Sequence, residues 1–421
     1  MNTTISHRAT ATATLKKPKN LAAAQPAAVG MCPQRTADLL CVLQREIDSQ
    51  RLPGAVVLVS RRGKVALFES LGEQDPATGI PMHKDSIFRI YSMTKPLVSV
   101  AIMMLMEQGR VLLADPLSKY LSEYADQQVG EVVSGKKKLK LHRPARPATV
   151  HDLLRHTAGL TYEFMGTSPV QKMYADARIG SRHRSNAEFS QALAALPLLT
   201  EPGTAWEYSR ATDVLGRLVE VLSGQTLGSY LRHQILMPLG MVDTGFSVPP
   251  AQQHRIAEPF AHDPDGGVPM ALIDVCKDSG SGAMLESGGG GLVSTAADYA
   301  RFLQFMLNRG ELGGVRLLSG ATVDFMTADH LGKLPIHPVG SSTTVLPPGH
   351  GFGLGFAVRL EAGLASAPGS KGLYYWGGIA GTTFFVDPAQ ELFALMMIQA
   401  PNQREYYRPL FRSLVYAALL D

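Results

Sequence analysis

The sequence predicts an α/β (α+β) fold: an antiparallel sheet flanked by helices, with a mainly helical domain inserted on one side. Three observations lead there. Strand-like runs occur near the start of the chain and again as an adjacent series near its end, and the long stretch between them is helical in period. Strands at both ends imply one sheet drawn from both termini. The domain boundaries that follow are a flexible tail at 1–30, a discontinuous α/β domain at 31–119 and 271–421, and the helical insertion at 120–270.

The elements follow in order. Residues 1–30 hold no acid and no aromatic and lack the continuous apolar region of a signal peptide, which reads as a solvated tail. Thr36–Gln50 is an amphipathic helix closed by Arg51-Leu52-Pro53-Gly54. AVVLVSRRGKVALFESLG then forms two strands around the polar turn Arg61-Arg62-Gly63. PLVSVAIMMLMEQG, Pro96 to Gly109, is a buried helix, and Leu113–Leu117 turns into a further helical segment. Helices are expected at Thr149–Arg155, Ser185–Ala195 and Asp213–Ser223, then at Thr295–Leu307. GFGLGFAVRL (351–360), KGLYYWGG (371–378), GTTFFVDP (381–388) and ELFALMMIQA make the closing meander, and Tyr406–Leu420 is a last helix.

Composition excludes several classes. The chain has 421 residues with 40 Lys+Arg against 36 Asp+Glu. Arg8, Lys16, Lys17 and Lys19 in the tail carry the excess, so the body is balanced and has no nucleic-acid footprint. The longest apolar stretch, Val98 to Met106, is too short to span a bilayer. Cys32, Cys41 and Cys276 show neither C-x-x-C nor metal spacing, and read as buried or idle thiols of a reducing, cytoplasmic compartment. No H-E-x-x-H or close histidine pair calls for zinc, and no metal or cofactor is expected.

The chemistry concentrates at Ser92-Met93-Thr94-Lys95. One helical turn separates serine from lysine, so both share a face at the mouth of an apolar helix, where the dipole and unpaired N–H groups favour an alkoxide. This S-x-x-K pattern is cheap alone: Ser134-Gly135-Lys136-Lys137 fits it too, inside a charge run expected to be a solvated loop. Two further segments offer partners. Tyr208, in Trp206-Glu207-Tyr208-Ser209-Arg210, precedes a helix and can shuttle a proton beside an ammonium; a half-buried packing tyrosine is the plain alternative. Trp376-Gly377-Gly378-Ile379, read as part of an edge strand, lets a ligand approach the backbone; an ordinary hairpin is its alternative. Glu286–Leu292 is a glycine-rich turn that could also wall the cleft, Asp213 is expected to cap its helix, and Arg155-His156-Thr157 to serve packing or a backbone hydrogen bond.

IYSMTKP, LLRHTAGL (153–160), EPGTAWEYSRATD (201–213), GGGGLVSTAADYARF (288–302), GFGLGF (351–356) and YYWGGIAG (374–381) occur in this order and together carry a family resemblance. Over roughly residues 35–420 it resembles the family VIII carboxylesterases, which share the class C β-lactamase and penicillin-binding-protein-like fold. The resemblance implies a serine hydrolase with Ser92 as nucleophile, Lys95 as its activating partner and Tyr208 as general base and acid. It implies an oxyanion hole at the N–H groups of Ser92 and Ile379, with Trp376, Gly377, Gly378 and Arg210 as substrate contacts, and a small-molecule ester as substrate.

Two departures from the β-lactamases point to a neutral ester. Arg210 stands where Y-x-N has asparagine, and Trp376-Gly377-Gly378 replaces K-T-G, exchanging a cation for an apolar wall. Arg210 still leaves weak lactam hydrolysis open. A β-lactamase, a D-amino-acid amidase and an acyltransferase remain alternatives within the fold. A non-catalytic peptidoglycan- or partner-binding homologue is the alternative of another class, disfavoured because Ser92, Lys95 and Tyr208 are all present. The absence of G-x-S-x-G removes the α/β-hydrolase reading.

Overall fold

A computed structural model describes residues 21–132, 139–266, 272, 285–337 and 342–420. Helix α1 (Pro33–Asp48) begins on a proline, which suits its first turn. Strands β1 (Gly54–Arg61) and β2 (Lys64–Asp75) form a hairpin in which Arg61 pairs with Lys64. Arg62 and Gly63 both have positive φ (51° and 71°), as a two-residue turn between twisted strands requires. A short β3 (Ile80–Pro81) borders β2. Helix α2 (Thr94–Glu107) is buried from Thr94 to Leu105, which explains its apolarity on every face.

Four helices of the middle segment matter for the site: α3 (Val150–Leu154), α4 (Pro169–Asp176), α5 (Asn186–Ala194) and α6 (Ala211–Ser223). Capping boxes start α3 (Thr149 with Asp152), α4 (Ser168 with Gln171) and α5 (Ser185 with Glu188). Helix α7 (Ala296–Leu307), capped by Thr295, precedes the closing strands. These are β4 (His350–Phe352), β5 (Ala357–Arg359), β6 (Tyr374–Gly377), β7 (Thr383–Asp387) and β8 (Leu392–Met397), followed by α8 (Arg404–Ala417).

The sheet has eight strands in the order β4-β5-β6-β7-β8-β1-β2-β3. The pairing of β1 with β8, Val56 opposite Met397, joins the two ends of the chain. Alternation along the strands sorts their side chains into two cores. Val56, Leu58, Phe384 and Leu395 face α2, α7 and the helical segment. Val57, Val59, Phe385 and Ala394 face α1 and α8. Among the described residues no helix is long and apolar enough to cross a membrane.

Three local expectations change. Residues 21–30 pack onto the body: Ala23 bridges Val65 and Val29 is buried, so only 1–20 lie outside the described residues at that end. The run 351–360 is two strands, because Gly353 to Gly355 turn the chain; Gly355, at φ 99°, abuts the Ser99 side chain with no room for a Cβ. The tryptophan–glycine strand is interior, paired with β5 and β7, and its glycines gain access at the strand's end. Ser134–Lys137 and Cys276 lie outside the described residues; Cys32 is half-buried and Cys41 exposed, and both are free thiols.

Candidate active site

Ser92 lies in a 3-10 turn, Tyr91–Met93, that feeds α2. The turn is held on several sides. Tyr91 takes a positive φ of 43°, a conformation L-residues rarely adopt. Ile90 N–H donates to Leu292 O, the Tyr299 hydroxyl of α7 donates to Met93 O, and Leu292 N–H donates to Thr94 Oγ1. The glycine-rich turn before α7 therefore clamps the serine turn from one side. The loop after β6 meets it from the other: a Cβ on Gly378 would sit 2.5 Å from Ile90 O, so only glycine allows this approach.

Lys95 is fully buried one turn beyond Ser92. Its ammonium donates to Gly289 O at 2.7 Å, to the Tyr162 hydroxyl at 3.0 Å and to Ser92 Oγ at 3.3 Å, which occupies all three N–H donors. Burial works against the charge, but the Tyr162 and Tyr208 oxygens outweigh it and hold the pKa above the usual lysine value. The shift favours the ammonium form, and the other titratable group in contact with Ser92 Oγ is the Tyr208 hydroxyl. Tyr208 donates its hydroxyl to Ser92 Oγ at 2.6 Å, and its ring centroid is 4.5 Å from Lys95 Nζ.

The Tyr208 loop is fixed through its neighbours. Glu207, buried, accepts from Thr161 Oγ1 and Ser342 Oγ, both at 2.8 Å, while its N–H donates to His156 O. The Tyr208 ring packs against Tyr162, Trp376 and His156 with centroids 5.1–5.3 Å apart. His156 shares a hydrogen bond with Ser209 Oγ, and burial pushes its pKa well below the usual value, so it is neutral; it packs, as expected of its segment, but its hydrogen-bond partner is a side chain and not the backbone. The neighbouring Asp152 is a buried carboxylate. Burial would raise its pKa, but Arg146, Thr149 and Thr157 donate to it and hold it well below the carboxylate range. A depressed folded pKa gives stability that is full above the unfolded value of about 3.9 and lost as pH falls towards the folded one. Asp152→Ala, which removes the shared acceptor of Arg146, Arg155, Thr149 and Thr157 and breaks the α3 capping box, is expected to cost about 2 kcal/mol in urea unfolding at pH 7.

Asp213 does not cap α6, whose N-cap is Arg210 without a side-chain bond. It accepts instead from Gly289 N–H and Ser287 Oγ, tying the glycine-rich turn to α6. Arg210 is committed as well. It pairs with Glu163 at 2.5 Å and stands 3.7 Å from Asp213, and these carboxylates overcome the penalty of its burial. As a free cation for an anionic substrate it is thus already spent.

Ser92, Tyr162, Tyr208, Arg210, Gly289, Trp376, Gly377 and Ile379 line one cavity of about 650 Å³, with Lys95 behind its wall. The Ile379 N–H has no acceptor among the described residues, as an oxyanion donor needs. Tyr162 and the Gly289 carbonyl went unnoticed in the sequence. The only signal for Tyr162 was its place two residues after LLRHTAGL; a carbonyl acceptor has none.

A family model described as Beta-lactamase matches residues 39–417. Protein Rv1367c of Mycobacterium tuberculosis is 35% identical over 370 residues, 84% of this chain and 88% of its own length. Esterase EstB of Burkholderia gladioli is 32% identical over 381 residues, 86% and 89% respectively. Among solved structures, EstCE1, described as a hydrolase with promiscuous acyltransferase activity, superposes with a TM-score of 0.75 at 29% identity, covering 91% of this chain and 99% of its own.

Proposed function

The chain belongs to the beta-lactamase family, and we propose that within it this enzyme is a serine carboxylesterase acting on short-chain esters through an acyl-Ser92 intermediate. The observation that carries this reading is the 2.6 Å contact between Tyr208 and Ser92 beside a saturated Lys95 ammonium. In the reactive form Tyr208 is a phenolate accepting from the Ser92 hydroxyl across the same 2.6 Å, and Ser92 Oγ attacks the ester carbonyl carbon while its proton passes to that phenolate oxygen. The ammonium over the tyrosine ring stabilises the negative charge that this requires. The carbonyl oxygen becomes an oxyanion held by the N–H groups of Ser92 and Ile379, each such donor lowering the barrier by about 3–4 kcal/mol. Tyr208 returns the proton to the departing alkoxide, and water repeats the cycle to free the acid. Trp376 supplies an apolar wall, while Gly377 and Gly378 let the substrate reach the backbone. Its free thiols, Cys32 and Cys41, accord with a cytoplasmic setting.

Short-chain p-nitrophenyl esters should have far higher kcat/KM than penicillins or a chromogenic cephalosporin. A chain-length series beside the two lactams checks this, and the reverse order would contradict it. Acyl transfer is the second reading, favoured by the description of EstCE1. Product analysis with an added alcohol acceptor would separate transfer from hydrolysis.

A further inference from the structure

Glu207 is a buried acid that the proposed reaction does not use. It precedes Tyr208 in the chain, yet only Tyr208 faces the cavity; the Glu207 side chain is directed into the protein. Thr161, Ser342 and His337, which meet its carboxyl group, do not line the cavity either.

The contacts of the carboxyl group fall on two sides. One oxygen accepts from Thr161 Oγ1 at 2.8 Å, and Thr161 precedes Tyr162, whose hydroxyl accepts from the Lys95 ammonium. The other accepts from Ser342 Oγ at 2.8 Å and stands 3.3 Å from His337 Nδ1. Ser342 Oγ in turn accepts from the Tyr208 N–H at 3.4 Å, closing a ring from the Glu207 side chain to the backbone of the next residue. A single carboxyl group thus joins the residues that precede two tyrosines. Those tyrosines flank Lys95, one by its hydroxyl at 3.0 Å and the other by its ring centroid at 4.5 Å.

Backbone contacts dock the same loop. Trp206 N–H donates to Pro335 O at 2.8 Å, and His337 N–H donates to Trp206 O at 2.9 Å. They fix the course of the chain before Tyr208, while the ring through Glu207 and Ser342 fixes the Tyr208 peptide itself. Little error is tolerated there. The Tyr208 oxygen sits 2.6 Å from Ser92 Oγ, and a misplacement of about 1 Å can cost about 100-fold in rate.

We propose that Glu207 is a positioning residue for the acyl transfer, holding Tyr208 and Tyr162 at their spacing about Lys95 and so keeping the base on Ser92. It touches neither the substrate nor the reacting atoms and acts through Tyr208. The inference rests on the esterase reading and deepens it.

Glu207→Leu removes the shared acceptor and should lower kcat for p-nitrophenyl acetate by about 30-fold, with KM within about threefold of the wild type. Glu207→Gln keeps an oxygen for one hydroxyl and an N–H for the other, whose own proton can rotate away. It should restore kcat to within about threefold of the wild type. A double-mutant cycle reads the route of the effect: in a Tyr208→Phe background Glu207→Leu should cost less than about threefold, because the group it positions is gone. General damage to the site would instead appear in both backgrounds. An unchanged kcat in Glu207→Leu, or an equal loss with and without the Tyr208 hydroxyl, overturns the positioning role and leaves the esterase. Glu207→Gln as damaging as Glu207→Leu would assign the effect to charge and overturn it too. Should Glu207→Leu not fold, Thr161→Val and Ser342→Ala each remove one arm and enter the same cycle; no loss of kcat from either refutes the role. A wild type that cleaves no ester overturns the esterase reading, and the cycle is then read as the rate of fluorophosphonate labelling of Ser92. A Glu207→Leu effect on labelling that disappears in Tyr208→Phe upholds the positioning role; a wild type that takes no label overturns both.

Discussion

Ser92→Ala is expected to lower kcat for ester hydrolysis by roughly 10⁴–10⁶-fold, the scale seen when a nucleophile is removed from a cooperating set. The fold should survive, because among the described residues the serine side chain is held by Tyr208 and Lys95, and the turn is held through its backbone by Leu292 and Tyr299. Lys95 keeps two acceptors, Gly289 O and Tyr162, so the buried ammonium is not stranded. Thermal unfolding should therefore move little while turnover disappears. Burst kinetics with a p-nitrophenyl ester would show the same point, since the acyl-enzyme phase must vanish with the serine.

Tyr208→Phe is the second large effect, about 10²–10⁴-fold in kcat, the range of general acid–base catalysis. The substitution keeps the ring that packs against Tyr162, Trp376 and His156 and removes only the oxygen facing Ser92. Tyr162→Phe is the control. It removes an acceptor from the Lys95 ammonium but nothing that touches Ser92, so about 10–100-fold is expected, the loss of one hydrogen bond to a charged group. Equal losses from the two tyrosines would assign the proton transfer to Lys95 instead. The saturated coordination of the ammonium argues against that outcome.

The core of the site was legible because its chemistry is local. Ser92 and Lys95 are one turn apart, and an apolar helix follows them; Tyr208 precedes α6 in a recognisable run. The shared sheet was legible too, since hydrophobic runs at both ends of the chain imply one ladder, but its order was not: the Trp376 strand, read as an edge, is interior. What escaped depends on tertiary approach. The Arg404, Arg408 and Arg412 ridge reads as the polar face of a terminal helix, and nothing in its spacing says that Gly377 opens a path for the Arg408 guanidinium to Gly378 O. Arg210 reads as an available cation, and only the fold brings Glu163 beside it. Residues 21–30 read as tail by composition, yet Val29 finds a buried place that a hydropathy pattern of alanines and prolines does not announce. The site was thus visible as a nucleophile and its base, and invisible as an electrostatic environment.

Together the Lys95 and Tyr208 contacts and the unpaired Ile379 N–H single out Ser92, among the described serines, as the residue proposed to carry an acyl group. Fluorophosphonate labelling followed by intact-mass and peptide mapping tests this most directly. One adduct per chain, on the peptide bearing Ser92 and absent from Ser92→Ala, is the predicted result. A folded protein that takes no label, or that takes it elsewhere and keeps it in Ser92→Ala, would contradict the account.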